Sequence, residues 1–194
     1  MNAATADPLR RYTKQDYLEL LDQSEHKYDY LDGEVRTMAG GTVAHNTILD
    51  NTTFALRLLA RGCQIKGSET AIAVAAANRY HFPDVSAVCD TPTYEQGGIA
   101  RLTNPALIVE VLSETSAAYD RGEKFSAYRQ LPSFREYLLI DSRKLIVETY
   151  FREEKDLWRI GNSYDLGQVV RLRSLGINLP LQDIYLNVVF GGGE

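Results

Sequence analysis

Two acidic residues stand where apolar strands have no structural use for a charge. Asp84 opens the run Phe82-Pro83-Asp84-Val85-Ser86-Ala87-Val88, and Glu110 interrupts Ala106-Leu107-Ile108-Val109-Glu110-Val111-Leu112-Ser113. An ionised carboxylate flanked by Ile, Val and Leu is costly to bury unless something positive meets it. Two oxygen donors on neighbouring strands suit a Mg²⁺- or Mn²⁺-type cation, which keeps several waters and takes only one or two protein carboxylates. The positive partner is read at Lys124. Asp120, Lys124 and Tyr128 are spaced i, i+4, i+8 and share one face of the helix expected after the Glu110 strand. Folded back over that strand, the helix brings the Lys124 ammonium near Glu110. There it could orient or deprotonate an attacking water and offset charge developing on a phosphate.

The elements that must position these groups follow from periodicity and punctuation. Thr13-Lys14-Gln15-Asp16 reads as a capping box before a short helix over Tyr17–Leu21. Asp32-Gly33 joins two alternating runs, Lys27–Leu31 and Glu34–Met38, as a hairpin. A longer helix is expected from Val43 to Arg61, stopped by Gly62, with an apolar stripe of Ile48, Leu49, Phe54, Leu56 and Leu59 and with His45 on or beside it. Strands are expected at Cys63–Lys66, Ala71–Ala76, Val85–Cys89 and Leu107–Leu112, then a helix over Ala117–Leu131 before Pro132. Glu136–Asp141 and Lys144–Arg152 form a second hairpin, Trp158–Ile160 and Val169–Leu172 further strands, and Asn178–Tyr185 a docked segment with a helical turn. The order is that of a mixed α/β (α+β) domain, a central sheet flanked by helices.

Residues 1–11 read as a flexible arm and 12–194 as a single domain, a length that supports a core without staples. No basic segment precedes an apolar one at the N-terminus, and no run approaches a membrane span. Two cysteines, Cys63 and Cys89, suggest neither a disulfide framework nor a zinc site, and a cytoplasmic protein is expected. A net charge of −5 argues against a protein that coats nucleic acid through bulk positive charge. It leaves open an enzyme that gathers acids around metal ions and bases along one groove. Arg57, Arg61, Lys66, Arg121 and Arg129 could line such a groove, although scattered surface bases are the commoner pattern.

Pro83-Asp84 followed by Glu110-Val111-Leu112 resembles the PD-(D/E)xK, or restriction-endonuclease-like, superfamily of Mg²⁺-dependent nucleases. A wider string carries a narrower resemblance: Tyr28-Asp29-Tyr30-Leu31-Asp32-Gly33-Glu34, Met38-Ala39-Gly40-Gly41, His45, Pro83-Asp84-Val85, Pro105 to Ser113, Asp120…Lys124…Tyr128 and Glu136 to Asp141. Together these residues resemble the Uma-type restriction endonuclease family over roughly Tyr12 to Tyr185. The resemblance implies a restriction-endonuclease-like core with a central mixed sheet, and a Mg²⁺- or Mn²⁺-dependent phosphodiesterase acting on nucleic acid, DNA foremost. The implied catalytic residues are Asp84, Glu110, Lys124 and His45. The implied metal site comprises Asp84, Glu110, the carbonyl of Val111 and Asp29. Two departures stand out: Leu112 occupies the superfamily's lysine position, so Lys124 must supply the charge from the following helix, and Asp29 replaces a Glu.

Other readings stay open at this level. Glu110 and Lys124 could be a structural ion pair, Lys124 and Asp120 a solvated i, i+4 pair, and His45 a capping or packing residue. The fold could serve as a catalytically inactive interaction or dimerisation module, or the site could act on small phosphate compounds. A homodimer is expected where a double-strand break needs two sites. Sequence preference, and the choice of DNA over RNA, have no legible motif.

Overall fold

The structure is a computed structural model that describes residues 5–7, 9–37, 40–96 and 98–191. Part of the expected arm, together with Met38 and Ala39 of the resemblance string, lies outside the described residues. Helix α1 (Lys14–Gln23) starts on the expected capping box: Asp16 N–H donates to Thr13 Oγ1 at 3.1 Å, and Thr13 N–H to Asp16 Oδ2 at 2.8 Å. It buries Tyr17, Leu20 and Leu21. Strands β1 (Tyr28–Leu31) and β2 (Glu34–Thr37) pair across Asp32 and Gly33, whose φ values of 48° and 97° fit the left-handed turn that an Asp-Gly hairpin uses.

Helix α2 (Val43–Leu59) is capped by Thr42, whose hydroxyl accepts from His45 N–H. It ends at Ala60, before the expected Gly62 stop, and its buried stripe is Ile48, Thr52, Ala55 and Leu56. Phe54 and Leu59, expected inside, are exposed. Six positions from Ile48 turn Phe54 roughly 240° around the axis, onto the opposite side of the helix. Leu59 is in line with the stripe but is the last helical residue, where the covering surface gives out.

The chain continues through β3 (Gln64–Gly67), β4 (Ala71–Val74), a 3₁₀ turn (Ala75–Ala77), β5 (Arg79–His81), β6 (Val85–Val88), β7 (Arg101–Leu102) and β8 (Leu107–Leu112). The expected helix after β8 spans 117–128 and is interrupted in the middle. Short α-helical pieces, α3 (Ala117–Tyr119) and α4 (Phe125–Tyr128), flank a π-helical turn, Asp120–Lys124. Next come β9 (Glu136–Asp141), β10 (Val147–Arg152), β11 (Trp158–Ser163), β12 (Val169–Leu172), β13 (Ile177–Pro180) and α5 (Leu181–Ile184).

Strands assort into a six-stranded sheet, β11-β10-β9-β8-β6-β3, a five-stranded sheet, β2-β1-β5-β4-β7, and the β12–β13 hairpin. The six-stranded sheet is mixed, with β8 and β9 parallel and its other neighbours antiparallel. One face, carrying Val109 and Val111, packs on Ile48 and Leu56 of α2 and Leu181 and Ile184 of α5. The other, carrying Ile108 and Leu112, packs on Ala127 and Tyr128 of α4. Alternation along a strand places Glu110 on this second face, toward the helical run.

Cys63 and Cys89 form a disulfide, contrary to the sequence expectation. The antiparallel register Gln64↔Val88 brings these residues opposite each other one step beyond the ladder, an adjacency that a separation of 26 residues conceals.

Candidate active site

Glu110 lies in β8, and Asp84 immediately precedes the adjacent strand β6. Val85 pairs with Val109 in the antiparallel β6–β8 ladder, so Asp84 falls opposite Glu110, one step beyond, where cross-strand side chains share a face. The Val111 backbone N–H donates to Asp84 Oδ2 at 2.7 Å and locks that carboxylate against the β8 edge. His45, from the first turn of α2, approaches the same oxygen with Nε2 at 3.6 Å, and its buried Nδ1 meets no hydrogen-bond partner among the described residues.

The helical run closes the other side. Lys124 Nζ lies 3.0 Å from Glu110 Oε2 and 3.1 Å from Asp120 Oδ1, with all three side chains buried. The Tyr128 hydroxyl donates to Glu110 Oε1 at 3.1 Å. The approach to Asp120 is an ion pair whose angle leaves Oδ1 without a true hydrogen-bond donor among the described residues. π-helical turns recur at functional sites because the extra residue re-aims side chains. Here the turn spans Asp120 to Lys124, so both side chains of this pair belong to it.

Asp29, from β1, sits behind this group. Its Oδ1 accepts from Phe82 N–H at 3.0 Å and its Oδ2 faces His81 Nδ1 at 3.1 Å, with the Tyr119 hydroxyl at 3.4 Å. Both oxygens are thus engaged by neighbours. His81 is fully buried, with Nε2 unpartnered among the described residues and its ring against Tyr128.

Electrostatics show a cluster short of positive charge. Burial raises the Asp84 carboxyl above its ordinary value, despite His45, the Val111 N–H and Lys124. Burial likewise pushes Glu110 well up, against the pull of Lys124 and with Asp120 and Asp84 adding to the rise. Lys124 moves well up too: burial would lower it, but Glu110, Asp120, Asp29 and Asp84 hold it protonated. Asp29 would be raised by burial, yet His81, Lys124 and the Phe82 N–H bring it below its ordinary value.

These groups line an open cavity of about 520 Å³ whose walls include Arg36, Gly41, Thr42, Ser113 and Tyr119. Its lining holds five carboxylates (Asp29, Asp84, Glu110, Glu114 and Asp120) against two obligate cations, Arg36 and Lys124. No group of three or more His, Cys, Asp or Glu side chains placed to hold a metal ion exists among the described residues. The donor set fits a hard cation that retains waters and uses one or two carboxylates, with Asp84 and Glu110 the pair that faces across the strands.

Comparison with known proteins adds to this geometry. A family model for Uma2, described as "Putative restriction endonuclease", matches residues 14–182. The chain belongs to the Uma2 family. Two uncharacterised Synechocystis sp. proteins resemble it: slr1290, 31% identical over 185 residues (94% of this chain, 96% of that protein), and sll1609, 32% identical over 148 residues (75% and 84%). The fold is similar to a crystal structure from Anabaena variabilis described as a putative nuclease of DUF820, with a TM-score of 0.71, 16% identity and coverage of 88% of this chain and 96% of that one. Leu112, two residues after Glu110, is fully buried in the apolar cluster with Ile108 and Tyr137.

The expected catalytic and metal-site residues Asp84, Glu110, Val111, Lys124, His45 and Asp29 all line this one cavity, whereas Arg57, Arg61, Lys66, Arg121 and Arg129, expected along a groove, are not among its lining. Asp120 is legible in the sequence only as part of a helical spacing. His81 and Tyr119 lie outside the sequence expectations. The signal for His81 is its place three residues before Asp84, on a strand of three residues too short to register as an element.

Proposed function

We propose that the chain is a metal-dependent endonuclease that hydrolyses phosphodiester bonds of nucleic acid, with DNA as the expected substrate and Mg²⁺ or Mn²⁺ as the expected cofactor. The observation that carries this reading is the convergence of Glu110 and Asp120 on one buried lysine, with Asp84 facing Glu110 across the β6–β8 ladder, at the floor of an open cavity. A structural core needs no such surplus of carboxylates, and a polyanionic substrate could not enter it without added positive charge.

Asp84 and Glu110 would hold the cation, with the Val111 carbonyl as a further donor and Asp29 supporting the cluster from behind. When bound, the cation supplies Lewis-acid polarisation of the phosphate and a more acidic water. Lys124, whose ammonium is favoured by Glu110, Asp120, Asp29 and Asp84, would orient the water and offset the charge that grows on the phosphate oxygens. His45 Nε2, beside Asp84 at the cavity wall, is placed to pass a proton to a departing oxygen. The hydroxyl-rich turn Ser113–Ser116 and the Thr42 cap offer hydrogen-bond donors to a phosphate at the rim.

A second reading, a catalytically inactive interaction module, is favoured by one observation. Lys124 already bridges Glu110 and Asp120 at close range, as a structural ion network would. Cleavage of supercoiled plasmid by the purified protein in Mn²⁺, Mg²⁺ and EDTA separates the two. Metal-dependent nicking that Asp84→Ala and Lys124→Ala both abolish, with their circular dichroism unchanged, supports the nuclease. Absence of cleavage in either metal, or cleavage that survives Asp84→Ala, overturns the site assignment.

A further inference from the structure

The face of α2 turned away from the core is the least expected apolar surface of the chain. Phe54, past the middle of this 17-residue helix, is 70% exposed, and Leu58, one turn on, is 52% exposed. Asn51, on the adjacent flank, donates to Leu186 O at 2.8 Å and so lays the C-terminal segment beside the helix. That segment adds Leu186, 58% exposed, and Val189, 73% exposed. Isolated exposed apolar residues are ordinary, but a run of them along one helix and its neighbouring segment marks a surface that is covered in use.

The charges on this face identify what covers it. Asp50 lies one turn before Phe54 and Arg57 one turn after it, both exposed. A two-fold axis passing by Phe54 sets a second α2 antiparallel to the first, so that each residue four positions before the centre meets one three or four positions after it. Asp50 of each copy then comes beside Arg57 of the other, and the two Phe54 rings meet at the axis. This face is self-complementary in the manner an isologous contact requires. A partner of a different sequence would need to reproduce both the acid and the base in reversed order.

We propose that the chain forms a homodimer through the outer face of α2, with Phe54 at the two-fold axis and Asp50–Arg57 pairs on either side. A ridge of 17 residues at about 1.5 Å per residue is about 25 Å long, and the dimer is sought at micromolar concentrations. The proposal stands apart from the catalytic reading, since the interface holds whether or not the cavity cuts nucleic acid. In the dimer the two α2 N-termini, each bearing His45, point to opposite ends.

Sedimentation velocity of the full chain across a concentration series from about 1 to 200 μM tests it. Wild type is expected to pass from monomer to dimer. Phe54→Glu is expected to stay monomeric throughout with an unchanged melting temperature, since the ring stands outside the core clusters. Asp50→Arg alone places four bases in the contact, Arg57→Asp alone places four acids there, and each is expected to be monomeric. Mixed in equal amounts, the two variants regain opposite charges at both positions and are expected to form a heterodimer. Three results each overturn the proposal: a monomer at every concentration, a dimer that survives Phe54→Glu, or single-charge variants whose mixture fails to associate. The first leaves the face to a different macromolecule, and the second moves the contact elsewhere on the chain.

Discussion

Lys124 Nζ lies 3.0 Å from Glu110 Oε2, an ammonium that reaches from the π-helical turn onto an acid in the middle of β8. Removing Lys124 leaves Glu110 and Asp120 buried without their ammonium, whereas removing Glu110 leaves Lys124 paired with Asp120 alone. Lys124→Met is therefore expected to cost about 3–5 kcal/mol of unfolding free energy, whereas Glu110→Gln combined with Lys124→Met costs clearly less than the two single changes added together. Urea unfolding of the four proteins checks this. A Lys124→Met midpoint equal to that of wild type would mean the ammonium compensates nothing.

Asp29 and His81 supply a second test, because both Asp29 oxygens are already taken by neighbours. Asp29→Asn keeps an oxygen for the Phe82 N–H but gives up the charge that faces His81 and helps keep Lys124 protonated. Supporting residues of this type alter metal affinity or activity by about 10–100-fold. The expected outcome is Mn²⁺ binding weakened by about that factor in titration calorimetry, while Asp84→Asn abolishes it. Equal and complete loss in both variants would instead place Asp29 among the direct ligands.

Much of this arrangement is legible in the amino-acid sequence, and particular residues show why. Glu110 stands out because a charge in a continuous apolar strand has a high desolvation cost. The capping box at Thr13 and the Asp32-Gly33 turn are local codes that need no tertiary context. The adjacency of Asp84 and Glu110 depends on strand pairing, which the separation of the two motifs leaves open. Asp120 and Lys124 fall on a common helical face, but the π-helical turn that contains both residues has no simple periodic signature. Phe54 misleads because its hydrophobicity matches a core residue while its angular position on α2 does not. Cys63 and Cys89 give no sign of pairing, since their proximity is a product of the β3–β6 register alone.

Acid stability should carry the mark of Asp141. Burial alone would push this carboxyl up, but the Arg143 guanidinium and backbone N–H, at 2.9 Å each from its two oxygens, hold it below its ordinary value. A carboxyl depressed in the folded state contributes stability that is present above its unfolded pKa, about 3.9, and is lost as pH falls through the lower folded value. Asp141→Asn is expected to lower the melting temperature at neutral pH and to flatten its fall below about pH 4. Parallel melting curves for the two proteins from about pH 7 to about pH 2.5 would remove Asp141 from the acid transition.

The Cys63–Cys89 bond joins the loop after α2, the helix that carries His45, to the far end of β6, the strand entered through Asp84. Closing a loop across 26 residues restricts the unfolded chain by about 3–4 kcal/mol in the chain-entropy account. Cys63→Ser with Cys89→Ser is therefore expected to lower the urea midpoint, and dithiothreitol to bring wild type down to the same midpoint without affecting the double variant. The bond lies at the end of α2 opposite His45, so the cavity itself should be little altered. Mn²⁺ affinity of the reduced protein, measured well below its unfolding transition, should match that of the oxidised form. A large loss of affinity on reduction, with the fold intact by circular dichroism, would show that the bond reaches through α2 to set His45 against Asp84.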